Sequence, residues 1–181
     1  MIREIRDAVS ARAAVDAAIS GRVLLSTLYC RDAVGGLTSL RNWGLQDHEI
    51  AEALSVLVGQ RLVRRLCTNC RRHRAVSAKE RVWLSTVGLV VPERVSDAVG
   101  CERCAQIGYT GRCGIFELWH LTEADYEAIL RHTDEHAVRR SIAERKHKSI
   151  IADGLDKVVA GVTTIAELRR AASGAFPSQP L

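Results

Sequence analysis

Aromatic side chains are scarce: two Phe, three Tyr and three Trp among 181 residues, with a single Met. Any core must therefore be filled by aliphatic side chains. No apolar run approaches the roughly 20 residues that span a bilayer. The N-terminus carries Arg3, Glu4, Arg6 and Asp7 where a secretory signal would carry an apolar stretch. These absences place the chain in the cytoplasm, where thiols stay reduced, and turn its six cysteines toward metal binding or burial before disulfides. Also absent is any G-x-x-x-x-G-K followed by Ser or Thr, so no loop of that type is available to cradle phosphates. No internal repeat is visible.

What is present is unevenly placed. Residues 1–74 hold 12 Lys and Arg against 7 Asp and Glu, whereas residues 75–181 hold 14 of each. The surplus is sharpest at 61–74, with six Arg and no acid. A basic face attracts phosphate, whether nucleotide, nucleic acid or lipid. A solvated arginine surface is the plain alternative, and the segment lacks the interleaved aromatics on which bases stack.

Hydrophobic patterning predicts an α/β chain. "AVSARAAVDAAIS" (8–20) reads as a helix stopping at Gly21, and "RVLLSTLY" (22–29) as a buried parallel strand. A helix over 32–44 opens on Asp32, with Gly35-Gly36 weakening it, and Asp47 caps a second helix over 48–59. "QRLVRRLC" (60–67) reads as a strand with Leu62 and Val63 on opposite faces. Ser77-x-x-Glu80 opens a short helix near 78–87, and 111–121 alternates like a strand pair or one longer strand. From Thr122 onward the pattern is helical, ending with a helix opened by Thr164-x-x-Glu167 and a polar, frayed tail. "MIREI" reads as a strand fragment at the cut front edge of a sheet.

The cysteines carry the sharpest signal. Cys67-x-x-Cys70 recurs as Cys101-x-x-Cys104, and each pair can wrap a metal in one tight turn. Thirty residues separate the pairs, longer than the usual zinc-ribbon spacer, but the spacer carries its own helix, so the two knuckles can still meet. Four thiolates in a closed tetrahedron suit structural zinc and leave no water to activate. A redox pair or unmetallated thiols are the alternatives. His73 lies near a knuckle and could compete as a ligand. Cys30 and Cys113, unpaired in sequence, read as small buried hydrophobes.

Glu4 follows a short apolar start, and in isolation it reads as a surface glutamate. The order of several blocks adds to this. "REIRDAVSARAAVDAAISGRVLLSTLYCRDA", "GQRLVRRLCTNC", "CERCAQIGYTGRCGIFEL" and "DGLDKVVAGVTTIAELRR" together closely resemble the C-terminal portion of type II secretion and type IV pilus assembly ATPases, the general secretory pathway protein E family. The resemblance runs to about residue 172. It implies a cytoplasmic hexameric motor, peripheral at the inner membrane, that hydrolyses ATP on a RecA-like domain and drives pseudopilus or pilus assembly. Homologous motor subunits and inner-membrane platform proteins are the implied partners, with no specific nucleic acid.

By the same resemblance, Glu4 matches the catalytic glutamate of the Walker B segment, normally "GEIRD". Tyr29 falls where the histidine box reads "STLHTN", and Cys67, Cys70, Cys101 and Cys104 match the zinc ligands. The departures matter equally. The phosphate loop and its lysine are absent, and Met1 falls inside the family's Walker B strand. Arg3 replaces a glycine beside the phosphates. Tyr29 replaces a histidine, and a phenol cannot present a ring nitrogen. Cys30-Arg31 stand for threonine and asparagine.

The expectation is therefore a partial RecA-like core over 1–66, a tetracysteine zinc subdomain over 67–113, a mainly helical part over 114–172 and a disordered tail over 173–181. Zinc is the expected metal. ATP and Mg are expected only if another half completes the motor, and the chain alone is not expected to hydrolyse ATP. The alternatives are a zinc-stabilised basic module contacting nucleic acid or anionic lipid, and an assembly-only partner of an intact motor.

Overall fold

Asp7 begins the first helix by accepting the Ser10 N–H at 2.7 Å, while Ser10 closes the capping box in return. The computed structural model describes residues 3–145 and 147–173. The front of "MIREI" and the tail at 174–181 therefore lie outside the described residues. Helix α1 (Ala8–Ile19) buries Ala11, Ala14 and Val15, one stripe at i, i+3 and i+4. It stops as the sequence predicts: Gly21 takes φ +85° and donates its N–H to the Ala18 carbonyl at 2.9 Å.

The run at 22–29 departs from expectation. Its parallel partner is present, because Ile5 bridges Leu28 and donates its N–H to the Thr27 carbonyl at 2.7 Å. It is not buried, however: Val23 is 93% and Leu25 68% exposed. Both faces of the run are apolar, but only the side carrying Leu24 and Leu28 packs against a core. A continuous apolar run signals burial on two faces only when something lies over each of them.

Helix α2 (Ala33–Asn42) is capped by Asp32, which accepts the Gly35 N–H at 2.8 Å and takes both Arg139 guanidinium nitrogens. The weakening expected of Gly35-Gly36 is offset by packing, since a Cβ on Gly36 would sit 3.0 Å from Leu57 Cδ2. The next helix is shorter than expected. Helix α3 (Asp47–Ala53) is capped by Gln46 rather than Asp47, and the chain is already in strand β1 (Val56–Leu66) before the predicted helical span of 48–59 ends. Asp47 instead pairs with Arg41 and His132. The reason is the period. From Val56 to Gly59 exposure alternates residue by residue, and Leu57 and Gly59 turn inward.

Strand β2 (Arg72–Ala75), helix α4 (Ala78–Thr86) and strand β3 (Arg94–Asp97) follow, then one long strand β4 (Tyr109–His120) and helices α5 (Glu123–Leu130), α6 (Glu135–Glu144), α7 (Ile150–Val159) and α8 (Ile165–Ala172). Strand β1 pairs with β4, and β2 pairs antiparallel with β3. Val63 is fully buried and Leu62 47% exposed, the opposite faces that the sequence predicts. No helix among the described residues is long and apolar enough to cross a membrane.

Two compact units result, residues 1–59 with 117–147 and residues 60–116 with 148–181. The first packs Leu37, Leu40, Ile50, Trp119 and Ile129 into an aliphatic core around one indole. In the second, Val63, Leu84, Ile115, Val158, Ile165 and Leu168 form the core. Helices α7 and α8 approach closely at Gly154, where a Cβ would collide with the Leu168 side chain. Gly154→Ala is expected to lower stability by about 1–3 kcal/mol through overpacking, read as a drop in urea midpoint at unchanged slope.

Candidate metal centre and the segment around Glu4

Cys67 leaves the end of β1, where its N–H donates to the Gly108 carbonyl at 3.0 Å, and its own carbonyl accepts the Arg71 N–H at 3.0 Å. That turn presents Cys70 beside Cys67. The second knuckle is a single 3-10 turn, Glu102–Cys104, followed by Ala105 and Gln106 at φ 49° and 63°. The left-handed step turns the chain back so that the N–H of Gly108 donates to Cys104 Sγ at 3.2 Å. Gly108 itself sits at φ +78°, and a Cβ there would meet Ala98 Cβ at 2.7 Å.

Pairing of β2 with β3 closes the long spacer. The register sets Arg72 against Asp97 and Ala75 against Arg94, so the strand leaving the first knuckle lies beside the strand that leads to the second. Antiparallel return is what brings Cys70 and Cys101 together across thirty residues of sequence. Arg74 secures the loop between them by bonding both Glu80 oxygens at 2.7 Å and Asp97 at 2.5 Å. Glu80 also completes the Ser77 capping box.

The four Sγ atoms of Cys67, Cys70, Cys101 and Cys104 lie within 4.8 Å of one another. Three of their separations are 3.9 Å (Cys67–Cys101), 3.8 Å (Cys70–Cys104) and 3.7 Å (Cys101–Cys104). A tetrahedron with metal–sulfur bonds of about 2.3 Å has edges of about 3.8 Å, so four thiolates could hold one ion here with almost no rearrangement. Disulfide bonds at about 2.05 Å are far from these spacings.

Donors around the sulfurs favour negative charge. Asn69 Nδ2 donates to Cys101 Sγ at 3.3 Å and pulls that thiol down to about 6. Burial raises Cys104, but N–H groups of Cys101 and Gly108 outweigh it and lower the thiol overall. Cys70 goes the other way, since burial pushes it up to about 11. An adjacent cation is what would ionise such a thiol.

Other sequence candidates fall outside the cluster. His73 Nδ1 is 3.1 Å from Ser96 Oγ, a hydrogen bond within the strand pair, and is not one of the clustered groups. Cys30 and Cys113 are half-buried rather than fully buried. Three arginines of the basic segment are engaged by the protein itself, while Arg65 and Arg72 are exposed. Arg64 bonds Glu167 and stacks 4.2 Å over the Tyr109 ring, Arg71 bonds the Gly161 carbonyl at 2.6 Å, and Arg74 is paired as above.

Glu4 is half-buried on the strand that ends at the Ile5–Leu28 bridge. The parallel pairing sets Glu4 level with Thr27, and Arg6 level with Tyr29. Thr27 Oγ1 donates to the Arg3 carbonyl at 3.0 Å. A hollow of about 380 Å³ opens here, lined among the described residues by Arg3, Glu4 and Arg6. Tyr29 is 84% exposed. The two segments that the sequence pairs only by resemblance are thus neighbours in space. Sequence reasoning missed Asn69 and Gly108, although the glycine between the second knuckle and a strand was a usable signal. It also missed Glu167, whose burial depends on partners far along the chain.

Comparison with known proteins gives consistent matches. The family described as Type II/IV secretion system protein matches residues 1–170. The Putative type II secretion system protein E of Escherichia coli is 37% identical over 179 residues, 99% of this chain and 36% of that protein. Type II secretion system protein E of Aeromonas hydrophila is 39% identical over 170 residues, 94% of this chain and 34% of that protein. The type IV pilus assembly ATPase PilB of Acinetobacter baylyi is 34% identical over 178 residues, 96% of this chain and 30% of that protein. Among solved structures, the Legionella pneumophila ATPase DotB shares the fold at a TM-score of 0.62 and 16% identity, over 96% of this chain and 38% of that one. The chain spans about a third of the length of these relatives.

Proposed function

The chain belongs to the Type II/IV secretion system protein family, and from that premise we propose that it is the C-terminal part of a hexameric secretion- or pilus-assembly motor ATPase. The observation that carries this is identity of 34–39% to curated secretion and pilus proteins, spread over more than nine-tenths of the chain. In this reading the motor works in the cytoplasm against the inner membrane, beside homologous subunits and platform proteins.

Cys67, Cys70, Cys101 and Cys104 hold one zinc ion, supported by sulfur spacings that match a tetrathiolate tetrahedron. When bound, the ion supplies a cross-link and no reactive water, because all four positions are thiolates. Asn69 and the N–H groups of Cys101 and Gly108 stabilise the thiolates that hold it. Glu4 is the acid facing the nucleotide, supported by its place at a strand end beside a hollow. An acid there orders magnesium or polarises the attacking water. The 181 residues contain no phosphate loop, so the chain by itself grips Mg-ATP poorly.

Two measurements test this. Calorimetric titration of the purified chain with Mg-ATP is expected to show no binding tighter than about millimolar, since the nest of N–H groups for the β-phosphate is absent; micromolar affinity refutes the claim. The second uses a chimera in which this chain replaces the matched 170 residues of the Aeromonas hydrophila protein. It is expected to form ring-sized oligomers and hydrolyse ATP, with Glu4→Gln slowing turnover by roughly 10²-fold or more. A folded chimera that stays monomeric and inert removes the motor reading.

A further inference from the structure

Asp32 does more than begin α2. A helix cap needs one acceptor, and Asp32 Oδ1 supplies it to the Gly35 N–H at 2.8 Å. Both oxygens also take the guanidinium of Arg139, at 2.7 Å and 2.9 Å, from α6, 107 residues along the chain. Asp32 is 8% exposed. Ser or Asn would cap equally well, and a buried carboxylate is costly unless a cation meets it. The forked pair with Arg139 is therefore a contact beyond what the helix start requires, and forked pairs fix direction as well as distance.

Neighbouring groups hold Arg139 in place. Glu135 accepts Arg139 Nε at 3.0 Å and Nη2 at 2.5 Å, and its other oxygen accepts Thr38 Oγ1 of α2 at 2.6 Å. From β4, Glu117 accepts the Ala33 N–H at 2.6 Å. The turn itself is tight, since a Cβ on Gly35 would sit 3.3 Å from Asp32 Oδ1 and 3.7 Å from Cys30 Cβ. Side chains from two distant elements thus converge on the point where α2 begins. Immediately before that point stand Tyr29, Cys30 and Arg31, where the family's histidine box stands. This short segment runs between two fixed points, the Ile5–Leu28 bridge and Asp32. The bridge also sets Tyr29 level with Arg6, which lines the hollow beside Glu4. Glu4 is placed by one end of the span, and Arg139 secures the other.

We propose that Arg139 is a positioning residue for ATP hydrolysis: through Asp32 it sets the path of residues 29–31 and so their placement relative to Glu4. This rests on the motor reading above. Arg139 touches no nucleotide in this account and acts through Asp32 alone. Arg145, the C-cap of α6, supplies a contrast within the same helix. It forks onto both oxygens of Asp125, a carboxylate of α5 well along the chain from 29–31. Two equal forks therefore hold α6, and only one of them reaches the segment before α2.

Turnover of ATP by the chimera described above, measured per assembled ring, tests the inference. Arg139→Gln and Asp32→Asn, the second of which keeps the helix cap, are each expected to lower kcat by roughly 10- to 100-fold, the scale of a small misplacement at a reacting centre. KM for ATP is expected to change less than about twofold, because the grip on the phosphates comes from the other half of the motor. The double variant is expected to cost no more than either single one, since both break the same fork. Arg145→Gln is expected to keep kcat within about twofold of the unchanged chimera. Unchanged kcat in Arg139→Gln rings overturns the proposal. So do equal losses for Arg139→Gln and Arg145→Gln, which mark a general loosening of α6, and losses that multiply in the double variant. Should Arg139→Gln fail to assemble, Asp32→Asn decides the matter, and failure of both while Arg145→Gln assembles makes the fork structural and overturns the role. An active chimera that ignores both changes sinks the role of Arg139 and leaves the motor reading standing; an inert unchanged chimera sinks the motor reading and this inference with it.

Discussion

Purified protein is expected to carry one zinc ion per chain, and Cys104→Ser is expected to lose the ion together with cooperative folding of the segment around it. Cys104 is the most constrained of the four sulfurs. It is buried, it accepts N–H groups from Cys101 and Gly108 at 3.2 Å each, and it lies 3.7 Å and 3.8 Å from two other cysteine sulfurs. A hydroxyl at that position binds zinc poorly at neutral pH, and three thiolates without the fourth leave an open coordination position. The ion is tied to folding because the unfolded chain has no preformed site; apparent binding energies for structural zinc run to about 10–16 kcal/mol. Around Cys101 and Cys104 the backbone turns through a 3-10 step and positive-φ residues rather than a long ladder. Elemental analysis and thermal unfolding before and after chelation provide the check. Expected results are a one-to-one metal ratio and a melting temperature that falls by more than about 10 °C on chelation, a domain of this size shifting by a few degrees per kcal/mol. Metal-free material with an unchanged melting temperature overturns the assignment.

Glu167→Ala is expected to cost about 2–4 kcal/mol, the second largest effect, although residue 167 touches neither thiols nor the Glu4 hollow. Its side chain is 2% exposed. One oxygen accepts Arg64 Nη2 at 2.8 Å, and the other accepts the Arg64 N–H at 2.9 Å and Arg170 Nη2 at 2.8 Å. Removing the carboxylate leaves the β1 N–H without its partner and opens a hole beside α8. The cost stays below that of a fully buried pair because Arg64 and Arg170 are 46% and 61% exposed and can return to water.

The same group gives a pH dependence. Burial alone would raise the Glu167 carboxyl, but Arg170 and Arg64 override it and hold it at about 2, down from 4.5. A depressed carboxyl contributes stability that is complete above the unfolded value and is lost as pH falls through the folded one. The loss therefore develops between about pH 4.5 and 2. Asp125 and Glu80, also held at about 2, act in the same window. The difference in urea midpoint between wild type and Glu167→Ala is expected to narrow from pH 7 to pH 2, leaving the part due to the hole; a constant difference across that range contradicts the account.

Reading the sequence worked where the deciding contact is local. Capping residues at Ser77 and Thr164 lie three positions from their partners, and both helices start there. Opposite facing of Leu62 and Val63 needs only the strand period. It failed where the partner is distant. "HEIAEALSVLVG" carries helical and alternating signals together, and pairing with β4 converts its second half into strand. "RVLLSTLY" has the composition of a buried strand but leaves Val23 and Leu25 exposed. "RHRA" has no pattern that announces a strand, and it becomes one only because β3 lies beside it.

From the sequence alone comes the set of four cysteines, since two thiols three residues apart can share one turn and four thiolates could close a metal site whatever surrounds them. Family membership is legible in the same way, from the order of local blocks. Tertiary structure alone decides that the two knuckles meet, and that Arg64, Arg71 and Arg74 bond Glu167, the Gly161 carbonyl, Glu80 and Asp97. Each of these depends on which distant segments share a hydrogen bond or a core, and such pairings are settled by the folded chain as a whole.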